Sequence, residues 1–187
     1  MVILIGGVTR TGKTLMAQKL MEKYGYPYMS VDHIKMGLYR GLGDEKYNPE
    51  QKGTILAEAL WPVIKGIIMT AIENKQNLIL EGVYILPSMA RDFEREYLDE
   101  IVSVFIGFSE EYIKENHDSG ILANQSVIEF REDDYPGSPA KLIDMHKEFN
   151  QMSLITNVNF FEIKKDYEKE IALVYSYIDH AIKCFCD

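Results

Sequence analysis

Residues 7–14 read GVTRTGKT, which matches G-x-x-x-x-G-K-[ST] without a mismatch. VILIG precedes the motif and an amphipathic pattern from Lys13 to Tyr24 follows it, so it stands between an expected strand and an expected helix. Gly7 and Gly12 permit backbone angles that turn successive N–H groups inward as a nest for phosphate oxygens. A helix opening at Gly12-Lys13 adds the positive end of its dipole. Lys13 is expected to reach the β- and γ-phosphates, and the Thr14 hydroxyl to ligate Mg²⁺. This makes a nucleoside triphosphate site, with Gly7, Thr9, Arg10, Thr11, Gly12, Lys13, Thr14 and Leu15 as its expected binding set. Without nucleotide, the Lys13 ammonium is expected to face solvent. Arg10 either points at the nucleotide or outward, and the sequence leaves both open.

The rest of the chain supplies a scaffold for such a loop. Short apolar runs (Val2–Ile5, Tyr28–Val31, Leu78–Leu80, Ile101–Ile106, Phe160–Ile163) alternate with helical patterns, the rhythm of βαβ units. Their continuous apolarity suits parallel strands covered on both faces. Asn48-Pro49-Glu50-Gln51 reads as the start of a helix running to about Asn74, with Asn48 as cap. Ser138-Pro139 opens another, to about Thr156, and the last begins near Asp166, with Ile171, Val174, Tyr175, Ile178 and Ile182 on one face. Arg131–Pro139, REDDYPGSP, is polar and rich in turn formers. It is either a surface connection or, within a region of about 119–139, a lid.

With 187 residues the chain is expected to be a single domain over 1–187. The 20 Lys and Arg against 29 Asp and Glu give a net charge of −9, and no basic cluster offsets it, which argues against a nucleic-acid partner. No apolar run approaches the ~18 residues of a membrane span, and the N-terminal apolar stretch runs into Thr9-Arg10-Thr11-Gly12-Lys13, unlike a signal peptide. No membrane partner and a cytoplasmic location are therefore expected. Cys184 and Cys186 read as two reduced thiols at a fraying end. His33, His117, His146 and His180 form no metal spacing and no nucleophile pair.

What is done with the triphosphate depends on other residues. A guanine-reading N-K-x-D is missing: Asn74-Lys75-Gln76-Asn77 ends in Asn, and Asp134-Tyr135-Pro136-Gly137 stands on the wrong side of it for a D-x-x-G. Asp32 closes the second apolar run, at the strand edge where α/β sheets bind ligands. A carboxylate there can hold Mg²⁺ through water and take the proton of an acceptor hydroxyl, or it can cap a helix starting at His33. Glu81 ends the third run and is a Walker B-like carboxylate, a group gripping the acceptor hydroxyl, or a solvated carboxylate. Arg40 and Arg91 could each pair with an acceptor carboxylate or phosphate, or lie on the surface.

GGVTRTGKT, YMSVD–HIKMGLYRG and LILEGVYILP together resemble the small P-loop kinases of the nucleoside-monophosphate-kinase type, in particular the 2-phosphoglycerate-kinase-like and zeta-toxin-like members. The resemblance covers residues 1–95 by motif. It implies a P-loop NTPase three-layer α/β sandwich, a five-stranded parallel sheet of order 2-3-1-4-5 with helices on both faces, and a lid between the fourth and fifth strands. It also implies transfer of the ATP γ-phosphate, with Mg²⁺, to a small-molecule acceptor. On that reading Lys13, Asp32 and Arg131 are catalytic, Asp32, Arg40, Glu81 and Arg91 bind the acceptor, and Thr14 binds the metal. The chain departs from the family in its five arginines, of which only Arg131 falls in the lid region, although nucleoside monophosphate kinases clamp phosphates with several. The alternative is an ATP-binding regulatory module that hydrolyses slowly and has no small-molecule acceptor.

Overall fold

A computed structural model of the chain describes residues 1–123 and 138–186. Five parallel strands form one sheet in the order β2-β3-β1-β4-β5, as expected. They are β1 (Val2–Gly7), β2 (Tyr28–Ser30), β3 (Leu78–Glu81), β4 (Ile101–Phe108) and β5 (Phe160–Ile163). β1 lies at the centre and is buried throughout, because VILIGG offers apolar side chains to helices on both faces. Its register sets Val2 beside Leu78 on one side and Ile101 on the other, so β1, β3 and β4 carry their carboxyl ends to the same edge.

The helices are α1 (Lys13–Tyr24), α2 (Val31–Leu42), α3 (Gly53–Glu73), α4 (Arg95–Leu98), α5 (Glu110–Asn116), α6 (Pro139–Thr156) and α7 (Tyr167–Cys186). α6 begins on Ser138-Pro139 as read from the sequence, and Ile171, Val174, Ile178 and Ile182 form the buried stripe of α7. Tyr175 of the same expected face is half-buried.

α3 starts four residues later than its sequence suggests, at Gly53 instead of Pro49. Asn48 does not cap a helix; its Oδ1 accepts from the Glu50 N–H at 2.9 Å, a local turn that competes with helix formation. The chain reaches helical geometry only at Gly53, after Lys52. α3 is also the described helix that is long and apolar enough to cross a membrane by length and composition, which corrects the expectation that no stretch comes near that limit. Counting uninterrupted apolar residues hides it, because Glu58 and Lys65 break the run. Its buried residues, among them Leu56, Leu60, Ile64 and Ile68, belong to the core. Trp61 joins α3 to the β3–β4 connection: its Nε1–H donates to Asp92 at 2.6 Å and its ring meets Phe93 edge-on.

The proposed lid falls mostly on residues 124–137, which lie outside the described residues, as does Arg131. Cys184 is a free, exposed thiol.

Candidate active site

The loop between β1 and α1 has the shape its sequence requires. Gly7 has φ +139°, and a Cβ there would lie 2.3 Å from the Ile106 carbonyl oxygen of β4. Gly12 takes φ +82° at the start of α1, where no side chain caps the helix, so the first N–H groups of α1 remain open to a ligand. A Cβ on Gly12 would lie 2.0 Å from the Tyr167 hydroxyl, which donates to the Thr11 carbonyl at 3.3 Å. Arg10, between the two glycines, has φ +66°. The Thr11 hydroxyl donates to the Val8 carbonyl at 3.0 Å and so ties the loop across itself.

Lys13 departs from expectation. Its side chain does not face solvent; the residue is 6% exposed and its Nζ donates to the Val8 carbonyl at 2.7 Å. An ammonium at the base of a loop of inward N–H groups has a backbone carbonyl as its nearest acceptor, and folding onto it satisfies a charge that burial would otherwise penalise. Thr14 and Leu15 are half-buried on the first turn of α1.

Gly7→Ala tests the cradle. The obstructing atom is backbone, which cannot move aside as a side chain can, and the φ is strained for any L residue. Overpacking of this kind costs about 1–3 kcal/mol. The melting temperature is expected to fall by several degrees, and affinity for a fluorescent ATP analogue by at least tenfold. Wild-type affinity would contradict the assigned loop geometry.

On the other side of β1, the carboxyl ends of β2 and β3 meet, with Ser30 beside Glu81 in the register. Asp32 is not the cap of a helix starting at His33. The helix begins at Val31 behind Ser30, and Asp32 is its second residue. Its Oδ1 accepts from Lys35 Nζ at 2.6 Å, one turn along α2. Lys35 is buried, 5.0 Å from the Tyr84 ring centroid and 3.3 Å from its hydroxyl. Burial pulls the Lys35 pKa down, but the Asp32 hydrogen bond and charge outweigh it and leave the value above the ordinary lysine range. Glu81 is 2% exposed, which removes the solvated reading of its carboxylate.

Two arginines do not join this group. Arg91 lies in a short 3₁₀ turn, Met89–Arg91, and donates to the Asn157 carbonyl at 2.5 Å, at the end of α6. Arg40 is exposed near the end of α2. Arg91 is thus held at the end of α6.

His146 of α6 completes the P-loop surroundings. It is buried, and its Nδ1 accepts from the Phe108 N–H at 2.9 Å, so the ring hydrogen sits on Nε2. Nε2 has no hydrogen-bond partner among the described residues. Burial first, and the Lys13 charge second, push the His146 pKa down to about 3. A cavity of about 420 Å³ at the carboxyl ends of β4 and β5 is lined by His146 together with Phe108, Ser109, Lys147, Asn150 and Lys165.

The buried neutral imidazole gives a pH prediction. Unfolded histidine binds its proton near pH 6.5, whereas His146 in the fold resists it down to about pH 3. The unfolded state therefore holds more protons in that window, and stability falls as pH falls from about 6.5 towards 3 by up to ~1.4 kcal/mol per unit. Asn keeps an acceptor for the Phe108 N–H and does not titrate. Between pH 6.5 and 5, His146→Asn should gain about 1.6 kcal/mol on wild type in urea unfolding; parallel pH curves would contradict the assignment.

Sheet order, loop geometry and open helix start define a P-loop kinase-like protein. The zeta toxin family profile matches residues 1–101, more than half of the sequence, and the chain belongs to the zeta toxin family. No curated protein matches the sequence. Among solved structures, shikimate kinase from Bacteroides thetaiotaomicron is similar at 13% identity and a TM-score of 0.52, over 96% of this chain and 98% of that one. Shikimate kinase from Aquifex aeolicus is similar at 17% identity and a TM-score of 0.50, over 97% and 99%. At such identities the likeness is one of fold.

Lys35, Tyr84, Tyr167 and His146 were not read from the sequence. Only Lys35 had a local signal, its i,i+3 spacing from Asp32 on a helix.

Proposed function

We propose that the protein transfers the γ-phosphate of ATP to a small-molecule acceptor, and the single observation that carries this is the placement of Asp32. A carboxylate stands at the ligand-binding edge of the sheet, on the far side of β1's neighbour β3 from the P-loop, already oriented by a buried lysine. A nucleotide-binding module has no use for that group; phosphoryl transfer to a hydroxyl does.

The residues fit ATP and Mg²⁺. The positive-φ Gly7, the uncapped start of α1 and the ammonium held inside the loop suit a triphosphate. The loop and α1 N–H groups would hold the phosphates, Lys13 would exchange the Val8 carbonyl for phosphate oxygens, and the Thr14 hydroxyl would ligate the metal. When bound, Mg²⁺ neutralises phosphate charge. Asp32 would orient the acceptor hydroxyl and take its proton, while Lys35 holds the carboxylate in place. Glu81 would accept a hydrogen bond from the acceptor.

ADP release measured with sugars, hydroxy acids, nucleosides and nucleoside monophosphates, and with a deproteinised small-molecule cell extract, tests the reading. Strong stimulation by one acceptor is expected. A flat response across the panel and the extract would instead favour a regulatory module.

A further inference from the structure

We infer that Tyr167 is a positioning residue of the phosphate loop: by holding the Thr11 carbonyl, it turns the Gly12 N–H towards the bound phosphates. This rests on the triphosphate reading of residues 7–14 given above, and adds to that site a residue from the far end of the chain.

The loop has a shape that must be held. Arg10 and Gly12 both take positive φ, +66° and +82°, with Thr11 between them. Alternation of this kind turns successive N–H groups to one side, as a nest for anion oxygens. It is costly at Arg10, because a side chain resists the left-handed region, and it persists only where surrounding contacts impose it. Two ties come from inside the loop, where the Val8 carbonyl accepts from the Thr11 hydroxyl and from Lys13. Another comes from 156 positions away: the Tyr167 hydroxyl donates to the Thr11 carbonyl at 3.3 Å.

The Thr11 C=O and the Gly12 N–H belong to one peptide unit. In a trans peptide the two point in opposite directions, and no peptide bond among the described residues is cis. A carbonyl drawn towards the start of α7 therefore leaves the Gly12 N–H facing away from α7. The same hydroxyl lies so near Gly12 that a Cβ there would approach it to 2.0 Å. Tyr167 thus meets this peptide at its carbonyl and again beside the Gly12 α-carbon.

Tyr167 is itself well seated. It opens α7 directly after a turn in which the Glu170 carboxylate accepts from the N–H groups of Lys164, Lys165 and Asp166, at 2.5, 3.0 and 3.1 Å. Its ring lies 6.4 Å from that of Phe108, which stacks on Tyr112. Burial first, and then nearby Tyr175, hold the hydroxyl pKa above the ordinary tyrosine value, so the group keeps its hydrogen to donate.

The test is direct binding to the full chain. Wild type and Tyr167→Phe, which loses the hydroxyl but keeps the ring on Phe108, are titrated with mant-ATP and Mg²⁺. Inorganic tripolyphosphate is then used to displace the mant-ATP. Tripolyphosphate has neither base nor ribose, so it reports on the phosphate loop alone. Both affinities are expected to fall about fivefold in Tyr167→Phe, the usual scale for one neutral hydrogen bond. The melting temperature of the protein without nucleotide should stay within about 4 °C of wild type. Unchanged affinity for both ligands would overturn the inference and leave the loop as the triphosphate site. A loss confined to mant-ATP would also overturn it, because Tyr167 would then act on the nucleoside. So would a larger fall in melting temperature, which would make the loss one of general stability. Failure of wild type to bind either ligand would overturn the triphosphate reading and this inference with it.

Discussion

Lys13→Ala is expected to lower phosphoryl transfer by about 10³-fold. The reaction depends on positioning and on charge placed against the transferring group, and loss of one such group costs roughly 10²–10⁵-fold in turnover. The structure adds a second consequence. Lys13 is buried and its Nζ donates to the Val8 carbonyl at 2.7 Å, so the substitution also removes a tie inside the loop. A charge-assisted hydrogen bond contributes about 1.5–3 kcal/mol, and each kcal/mol shifts the melting temperature of a protein this size by roughly 2–4 °C. A modest drop in melting temperature should therefore accompany the kinetic loss, while circular dichroism keeps its native shape. Turnover within tenfold of wild type would remove the loop from the active site.

Asp32→Asn is expected to lower acceptor phosphorylation by ~10²-fold or more, the usual scale for a positioned base. ATP affinity should change much less, because the loop from Gly7 to Thr14 would hold the triphosphate. The ion pair with Lys35 complicates this variant, since Asn also weakens a contact to a buried ammonium. Lys35→Met breaks the same pair and leaves the carboxylate in place. If Asp32 acts on the acceptor, Asp32→Asn should lose far more turnover than Lys35→Met, although both melt lower than wild type. Equal losses would mean that the pair matters only for packing. Restoration of Asp32→Asn by higher Mg²⁺ would make Asp32 a metal-side group instead.

The parts of this account that were legible in the sequence are those written in short, contiguous spacing. The octapeptide 7–14 announces its strand and helix because glycines, lysine and threonine must stand at fixed offsets to surround a phosphate. The continuous apolar runs mark buried parallel strands, and the observed sheet order agrees with the family resemblance. The failures have a common physical cause. Asn48 carries a cap-like sequence, but its side chain takes the Glu50 N–H and closes a turn before α3 can begin. Lys13 was expected to face solvent because its local sequence does not show the Val8 carbonyl folding back beneath it.

Long-range partners were out of reach for the same reason. Tyr84 meets Lys35 across 49 positions, Tyr167 reaches Thr11 across 156, and Arg91 is drawn to Asn157 across 66. Each contact exists only because the sheet brings distant strand ends together. Periodicity tells which face of an element is apolar, but not which polar group it will meet.

In the proposed reaction this loop and Asp32 together move the γ-phosphate of ATP onto a small molecule. The most direct measurement follows the fate of that phosphate. Wild-type protein, Lys13→Ala and Asp32→Asn are incubated with [γ-³²P]ATP, Mg²⁺ and an unfractionated small-molecule extract, and the labelled species are separated by chromatography. A new labelled organic product that forms with wild type and is lost with both variants is the expected result. Label found only as inorganic phosphate with wild-type protein would contradict the account.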